Sequence, residues 1–273
     1  MTKFKGFKKA KNSKRKDNLM LKNKVILIAG ANGRIGSALC RAVLAQNGLP
    51  VLADLSENAE FKRNLEREFK QDLLFVKMNI CDKNSLQSAI NSAYEKYGKI
   101  DGFVNSAYPT GKSHEQKPYY ELEFDEICDS LNVHLGGFIL AAQEFVKFFK
   151  RQGHGNIVNL SSIMGVYAPK FENYKGTAMQ SSLEYSVIKA GINHLGRWLA
   201  KELFGSGIRV NTLASGGILD AQPESFLRAY KNCCASKGML GAPDICGAIC
   251  FLLSDLSAFI TGQVLLVDDG WGL

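Results

Sequence analysis

From Val25 onward, short apolar runs alternate with long amphipathic stretches, and this alternation restricts the fold more than any single residue does. Apolar runs fall at 25–29, 50–54, 73–78, 102–105, 156–160, 209–213 and 264–267. Helical periodicity falls between them at 35–46, 57–70, 83–97, 121–151, 182–204 and 243–253. Strands that are apolar at nearly every position, with a helix between each pair, predict βαβ units around a parallel sheet covered on both faces. The expected fold class is α/β, a single Rossmann-type doubly wound domain. The least regular stretches, 166–181 and 217–238, are long for loops in a compact domain, and such loops usually carry function.

Charge divides the chain differently. The formal charge of +8 is concentrated in residues 1–24, which hold ten of the 34 Lys and Arg, while the rest is close to neutral. The high isoelectric point therefore belongs to the tail, and composition gives no reason to expect a nucleic-acid-binding body. Residues 1–21 read as a basic, disordered extension and 22–273 as an NAD(P)-binding domain. Met20 reads as an alternative initiator, an expectation that the intact mass of the native protein tests. No apolar run approaches the roughly 20 residues that a membrane helix needs, and no signal peptide is visible. The seven cysteines include no Cys-x-x-Cys pair and the four histidines are scattered. Reduced thiols, no metal site and a cytoplasmic location are expected, with neither nucleic acid nor membrane as a partner.

The first apolar run meets Gly30-Ala31-Asn32-Gly33-Arg34-Ile35-Gly36 and then a helix. Glycines let the backbone turn sharply, and the free N–H groups and dipole of the following helix stabilise a pyrophosphate. Asp54 ends the second run, 18 residues past Gly36. A carboxylate there accepts hydrogen bonds from both ribose hydroxyls of NAD and repels the 2′-phosphate of NADP. NAD is the expected cofactor, with NADP admitted if Arg34 folds back onto it.

Tyr185-Ser186-Val187-Ile188-Lys189 opens the helix at 182–204, whose apolar stripe is Ile188, Ile192, Leu195 and Leu199. Tyr185 and Lys189 stand at i and i+4 and point the same way. A phenol with a pKa near 10 is a poor acid or base at neutral pH, and a neighbouring lysine cation should lower it. Upstream, Ser161 and Ser162 end a strand with two hydroxyls.

Taken in order, these pieces resemble the short-chain dehydrogenase/reductase family. The resemblance runs from Lys22 to Leu273 and also takes in Asn105-Ser106-Ala107, Ile208-Arg209-Val210-Asn211, Gly216-Gly217-Ile218 and Ile260-Thr261-Gly262-Gln263. It implies a seven-stranded parallel sheet, hydride transfer between nicotinamide and a carbonyl or alcohol, and a homodimer or homotetramer packed through the helices at 121–151 and 182–204. It further implies that Tyr185 exchanges a proton with the substrate oxygen, that Lys189 binds the nicotinamide ribose, and that Ser162 orients the substrate. Gly30, Asn32, Gly33, Arg34, Ile35 and Gly36 would hold the pyrophosphate side, and Asp54 with Leu55 the adenine ribose. Asn79 and Ile80 would line the adenine, Asn105 and Ala107 the cofactor floor, and Gly216 and Ile218 the carboxamide.

The chain departs from that family's pattern at Ala29, Arg34, Asn79, Ser106, Tyr108 and Ser215. Where the family has an Asn that builds a proton-relay water site, the alignment places His134, with Asn132 two residues earlier. His134 is either a relay or a hydrogen-bonded core residue. The text between Ser162 and Tyr185 is about ten residues longer than the family leads one to expect, and with 219–237 it should wall the substrate pocket. Lys170, Lys175, Arg228, Lys231 and Lys237 are candidate contacts for an anionic small molecule such as a sugar phosphate or nucleotide sugar. Within the family, the segments Ala168-Pro-Lys-Phe-Glu172 and Gly217-Ile-Leu-Asp-Ala-Gln-Pro-Glu224 and the Val267-Asp-Asp-Gly270 ending are similar to the flagellin modification protein A group of bacterial oxidoreductases. That likeness implies an amino-sugar or nonulosonate intermediate for surface glycosylation. Two other readings stand beside it: a dinucleotide-binding scaffold or sensor with little catalysis, and a nucleic-acid or membrane-surface partner bound through the Lys-rich tail.

Overall fold

Every residue of β1 (Val25–Ala29) is buried, as a strand covered on both faces must be. The computed structural model describes residues 19–109 and 117–273. β1 lies between β2 (Leu49–Asp54) and β4 (Gly102–Asn105), with Ile28 opposite both Leu52 and Val104. With β3 (Leu74–Lys77), β5 (Gly155–Ser162), β6 (Ile208–Ser215) and β7 (Val264–Val267), they form one seven-stranded parallel sheet in the order β3-β2-β1-β4-β5-β6-β7. The chain reverses direction across the sheet between β1 and β4, and ligands of such sheets bind at the carboxyl ends of the strands at that reversal.

Alternate residues of each strand feed two separate cores. Val25 and Leu27 join Phe103, Ile157 and Val210 beneath α3 (Lys83–Tyr97), α5 (Gly137–Gln152) and α6 (Leu183–Glu202). Ile26 and Ile28 join Leu39, Val43, Leu65 and Ile249 beneath α1 (Arg34–Ala45), α2 (Ala59–Phe69) and α8 (Ala242–Leu253). Leu21, placed by sequence in the extension, is fully buried in the second core. The Met20 N–H donates to Gln46 Oε1 at 3.1 Å, so the packed body begins before Lys22. The rest of the expected disordered extension, residues 1–18, lies outside the described residues.

Two expectations change. The helix expected at 121–151 is interrupted: α4 (Phe124–Ser130) passes into a π-helical turn, Leu131–Gly136, before α5. Outside the helix, the Cys81 thiol donates to the Val133 carbonyl at 3.1 Å, and Gly137 packs so tightly on Cys81 and Ile80 that a Cβ would lie 3.0 Å from the sulfur. The second change is α7 (Glu224–Lys231), which lies within the stretch read as irregular and buries only Phe226 and Tyr230. Two buried positions four residues apart form a helical stripe too short to stand out in a sequence. Phe226 and Tyr230 join Ile163 and the carboxy-terminal Trp271 in a third, smaller core, against which Tyr167, Tyr174 and Met179 pack.

Candidate active site

The turn after β1 is built for close approach. Gly30 sits at φ +76°, a conformation that favours glycine, and a Cβ on Gly36 would lie 2.0 Å from the Gly30 carbonyl oxygen. The turn delivers α1 with Gly33 as its cap, no capping side chain and no acidic residue in the first turn. Its opening N–H groups and positive dipole end are thus left to an external anion. Asp54 braces this turn: one carboxylate oxygen accepts from the Asn32 N–H at 2.9 Å and the other from the Leu55 N–H at 2.8 Å. Each oxygen keeps a lone pair for a further donor. The Asn32 amide donates to the Ser56 carbonyl at 2.6 Å, and the Leu55 side chain is exposed.

The other expected cofactor residues lie at the carboxyl ends of neighbouring strands. Asn79, past β3, accepts from the Cys81 N–H at 2.9 Å, beside buried Ile80. Asn105 ends β4, fully buried, and its Nδ2 has no partner; a Cβ on Gly30 would touch the Ala107 backbone at 3.0 Å. Beyond β6, Gly216 packs on Asp268 and Ile218 bridges to Leu240. A bare helix N-terminus, a carboxylate 18 residues beyond Gly36 and a buried unpaired amide donor fit a dinucleotide laid from Asp54 towards Ile218.

Arg34 forms an ion pair with Asp220, in the segment between β6 and α7. The sequence had suggested that it folds back on the cofactor, and nothing in the sequence pointed to Asp220 as its partner.

Ser162, Tyr185 and Lys189 come together because β5 and α6 are locked face to face. Ser161 Oγ donates to the Lys189 carbonyl at 3.0 Å and Asn193 Nδ2 to the Gly165 carbonyl at 2.9 Å. A Cβ on Gly165 would sit 2.5 Å from the Lys189 carbonyl carbon. Ser182 caps α6 by accepting from the Tyr185 N–H at 3.2 Å, which fixes the turn that carries the tyrosine. The Ser162 hydroxyl stands beside that of Tyr185, and Lys189 Nζ lies 5.3 Å from the Tyr185 ring centroid.

The electrostatics differ from the simple expectation that Lys189 lowers the tyrosine pKa. Burial pushes Tyr185 up to about 12, against a smaller downward pull from the Ser162 hydrogen bond. Burial brings Lys189 down to about 7. Lys189 meets neutral acceptors, the Leu160 carbonyl at 3.3 Å and His134 Nε2 at 3.4 Å, and no carboxylate among the described residues pairs with it. His134 is buried and held down to about 3 by burial and by the Lys189 charge. Of the two relay candidates, His134 reaches the lysine, while Asn132 is exposed.

Tyr108 is the site residue that sequence reading noted only as a departure. Its ring meets His134 edge-on at 4.8 Å and lies 6.0 Å from the Tyr185 ring. It lines a cavity of about 530 Å³ with Ser162, Tyr185, Gln180, Gln222 and Tyr230. Among the described residues no lysine or arginine lines that cavity. Lys170 donates to the Trp271 carbonyl at 2.8 Å, Arg228 pairs with Glu224 at 3.8 Å, and Lys237 pairs with Asp244. Lys175 and Lys231 are exposed outside it. None of the five expected anion contacts therefore lines the catalytic cavity, and three of them are held instead by Trp271, Glu224 and Asp244. Among the described residues no group of three or more His, Cys, Asp or Glu gathers as metal ligands, and no helix is long and apolar enough to cross a membrane.

Comparison with known proteins agrees with this geometry. The family model described as enoyl-(acyl carrier protein) reductase matches residues 29–272. The chain is 66% identical over 256 residues, 93% of this chain and 100% of the other, to the post-translational flagellin modification protein A of Campylobacter coli. It is 33% identical, over 92% of this chain and 99% of the other, to a 3-oxoacyl-(acyl-carrier-protein) reductase of Thermotoga maritima. Among solved structures it is similar to a short chain dehydrogenase from Leptospira borgpetersenii with bound NAD+, at a TM-score of 0.81 and 27% identity, covering 93% of this chain and 94% of that one.

Proposed function

The chain belongs to the short-chain dehydrogenase/reductase family, and we propose that it is an NAD-dependent oxidoreductase acting on a sugar intermediate of surface-glycan assembly. The observation that carries the catalytic part is the meeting of Ser162 and Tyr185 at one cavity, with buried Lys189 Nζ 5.3 Å from the Tyr185 ring. The sugar assignment rests on the 66% identity to a flagellin modification protein and on the cavity itself. Its lining of Tyr108, Tyr174, Tyr230, Gln180, Gln222 and the Ser181 and Ser182 hydroxyls supplies flat faces and neutral hydrogen-bonding groups, which suit a polyhydroxylated ring. A phosphate or nucleotide on such a substrate would extend out of the cavity, since no cation among the described residues lines it.

When bound, the nicotinamide ring supplies or accepts the hydride. The protein residues do the rest. Ser162 donates a hydrogen bond to the substrate oxygen and fixes the orientation of its carbon. Tyr185 keeps its proton at neutral pH and gives it to that oxygen as negative charge develops in reduction. Lys189, titrating near neutrality beside the tyrosine ring, stabilises the phenolate and restores its proton. His134 holds the lysine in place as a neutral acceptor. Asp54 favours NAD, because a 2′-phosphate would bring two negative groups together.

Parallel fluorescence titrations with NADH and NADPH test the reading. NADH is expected to bind at least about tenfold more tightly, the effect of roughly one unscreened charge contact. Hexoses, their phosphates and their nucleotide-linked forms are then screened for turnover that disappears in Tyr185→Phe. Binding of neither dinucleotide would favour the scaffold reading instead.

A further inference from the structure

The Arg34–Asp220 ion pair spans the gap that a dinucleotide must cross. Arg34 is the first residue of α1, at the turn proposed above to take the pyrophosphate. Asp220 follows Ile218, the residue proposed to meet the carboxamide, and lines the catalytic cavity. The pair therefore joins the pyrophosphate side of the cleft to the nicotinamide side.

Little else in this region can move. The Gly217 N–H donates to the Tyr230 hydroxyl at 2.7 Å, and Leu219 N–H to the Leu240 carbonyl at 2.8 Å. Farther along, Asp269 accepts the N–H groups of Ser236, Lys237 and Gly238, so both ends of the loop are fixed. Between them Asp220 is tied only locally, its N–H donating to Gln222 Oε1 at 2.7 Å, and its carboxylate is half-exposed, as is the Arg34 guanidinium. Such a pair is weak enough to exchange partners. A guanidinium at the start of a helix is also a natural partner for a phosphate.

We propose that Asp220 sets the affinity for the dinucleotide by holding Arg34 in its absence, the guanidinium passing from the Asp220 carboxylate to the pyrophosphate on binding. The proposal rests on the reading that the turn from Gly30 to Gly36 takes the pyrophosphate. Asp220 is then a positioning residue, and its cost to the cofactor falls on the free protein. The apparent dissociation constant is raised by the fraction of molecules in which Arg34 is occupied.

Stopped-flow binding of NADH to the full chain tests this. Asp220→Asn is expected to bind about fivefold more tightly, with the gain in the association rate. Asp220→Glu, which can keep the pair, returns the wild-type constant. Arg34→Gln weakens binding and speeds dissociation, and adding Asp220→Asn to it changes the constant by less than about twofold. Thermal unfolding of each variant checks that the fold is retained. If Asp220→Asn binds NADH as wild type does, or more weakly, the proposal falls while the cofactor reading stands. If wild type binds neither NADH nor NADPH, both fall.

Discussion

Tyr185 and Lys189 are displaced from their ordinary pKa values in opposite directions, and each displacement has its own test. Tyr185→Phe removes only the oxygen that carries the proton. Turnover on any accepted substrate should fall about 10²- to 10⁴-fold, with NADH affinity unchanged within about twofold. Lys189 is brought down to about 7 by burial, so between that value and its unfolded value near 10.5 the unfolded chain binds more protons than the folded one. Stability must therefore rise with pH through that window, at a slope approaching about 1.4 kcal/mol per unit. Lys189→Met removes the term. Urea titrations of the free protein should show the variant's advantage largest near pH 6 and shrinking towards pH 10. A difference that does not vary with pH would contradict the buried, uncompensated lysine. His134, held down to about 3, gives the same sign in a lower window: stability is lost as pH falls below about 6.5. His134→Gln should blunt that acid loss. If its turnover matches wild type across pH, His134 is a core residue and not part of a relay.

The elements most readable from sequence are those whose period is uninterrupted. β1, β4, β7 and α3 fall where the apolar pattern predicts, because each strand is a nearly continuous apolar run and α3 an unbroken helical period between turn signals. The π turn before α5 is hidden in the sequence, where nothing marks the contact that the Val133 carbonyl makes with Cys81, more than 50 residues away. α7 is hidden by its brevity. Glycine contacts are a finer test of element packing. Gly165→Ala forces a Cβ into the backbone of α6 at Lys189, and should cost about 1–3 kcal/mol and separate Ser162 from Tyr185. Gly247→Ala, on the exposed side of α8 with nothing within 4 Å of the new Cβ, should add about 0.5–1 kcal/mol. Chemical denaturation of the pair checks both signs at once.

At the scale of the whole molecule, the proposed catalytic residues Ser162, Tyr185 and Lys189 are legible because their order along the chain carries them. The walls around it are not, because they are contacts between distant segments. Lys170, expected at an anion, instead lies 4.6 Å over the Trp271 ring. Trp271 in turn stacks on Tyr230 at 6.0 Å, and Tyr230 holds Gly217 beside the catalytic cavity. A residue three from the carboxyl end therefore ties the segment after Ser162 to the segment after β6. Gly272 lies so close to Tyr167 that a Cβ there would be 2.2 Å from its ring, which shows how completely the tail fills the slot. Removing residues 271–273 should loosen both walls together and leave the sheet intact. In hydrogen exchange, amides at 164–180 and 224–238 should speed up by similar factors, while those of β1 and β2 stay protected. The full truncation of a buried Trp contact costs on the order of 3–5 kcal/mol, but here it falls on the smallest of the three cores. NADH should still bind within a few fold of wild type, since the turn after β1, which Asp54 braces, packs on a different core. Exchange that rises only in the tail itself would mean that each wall stands alone, and that Trp271 fills space without joining them.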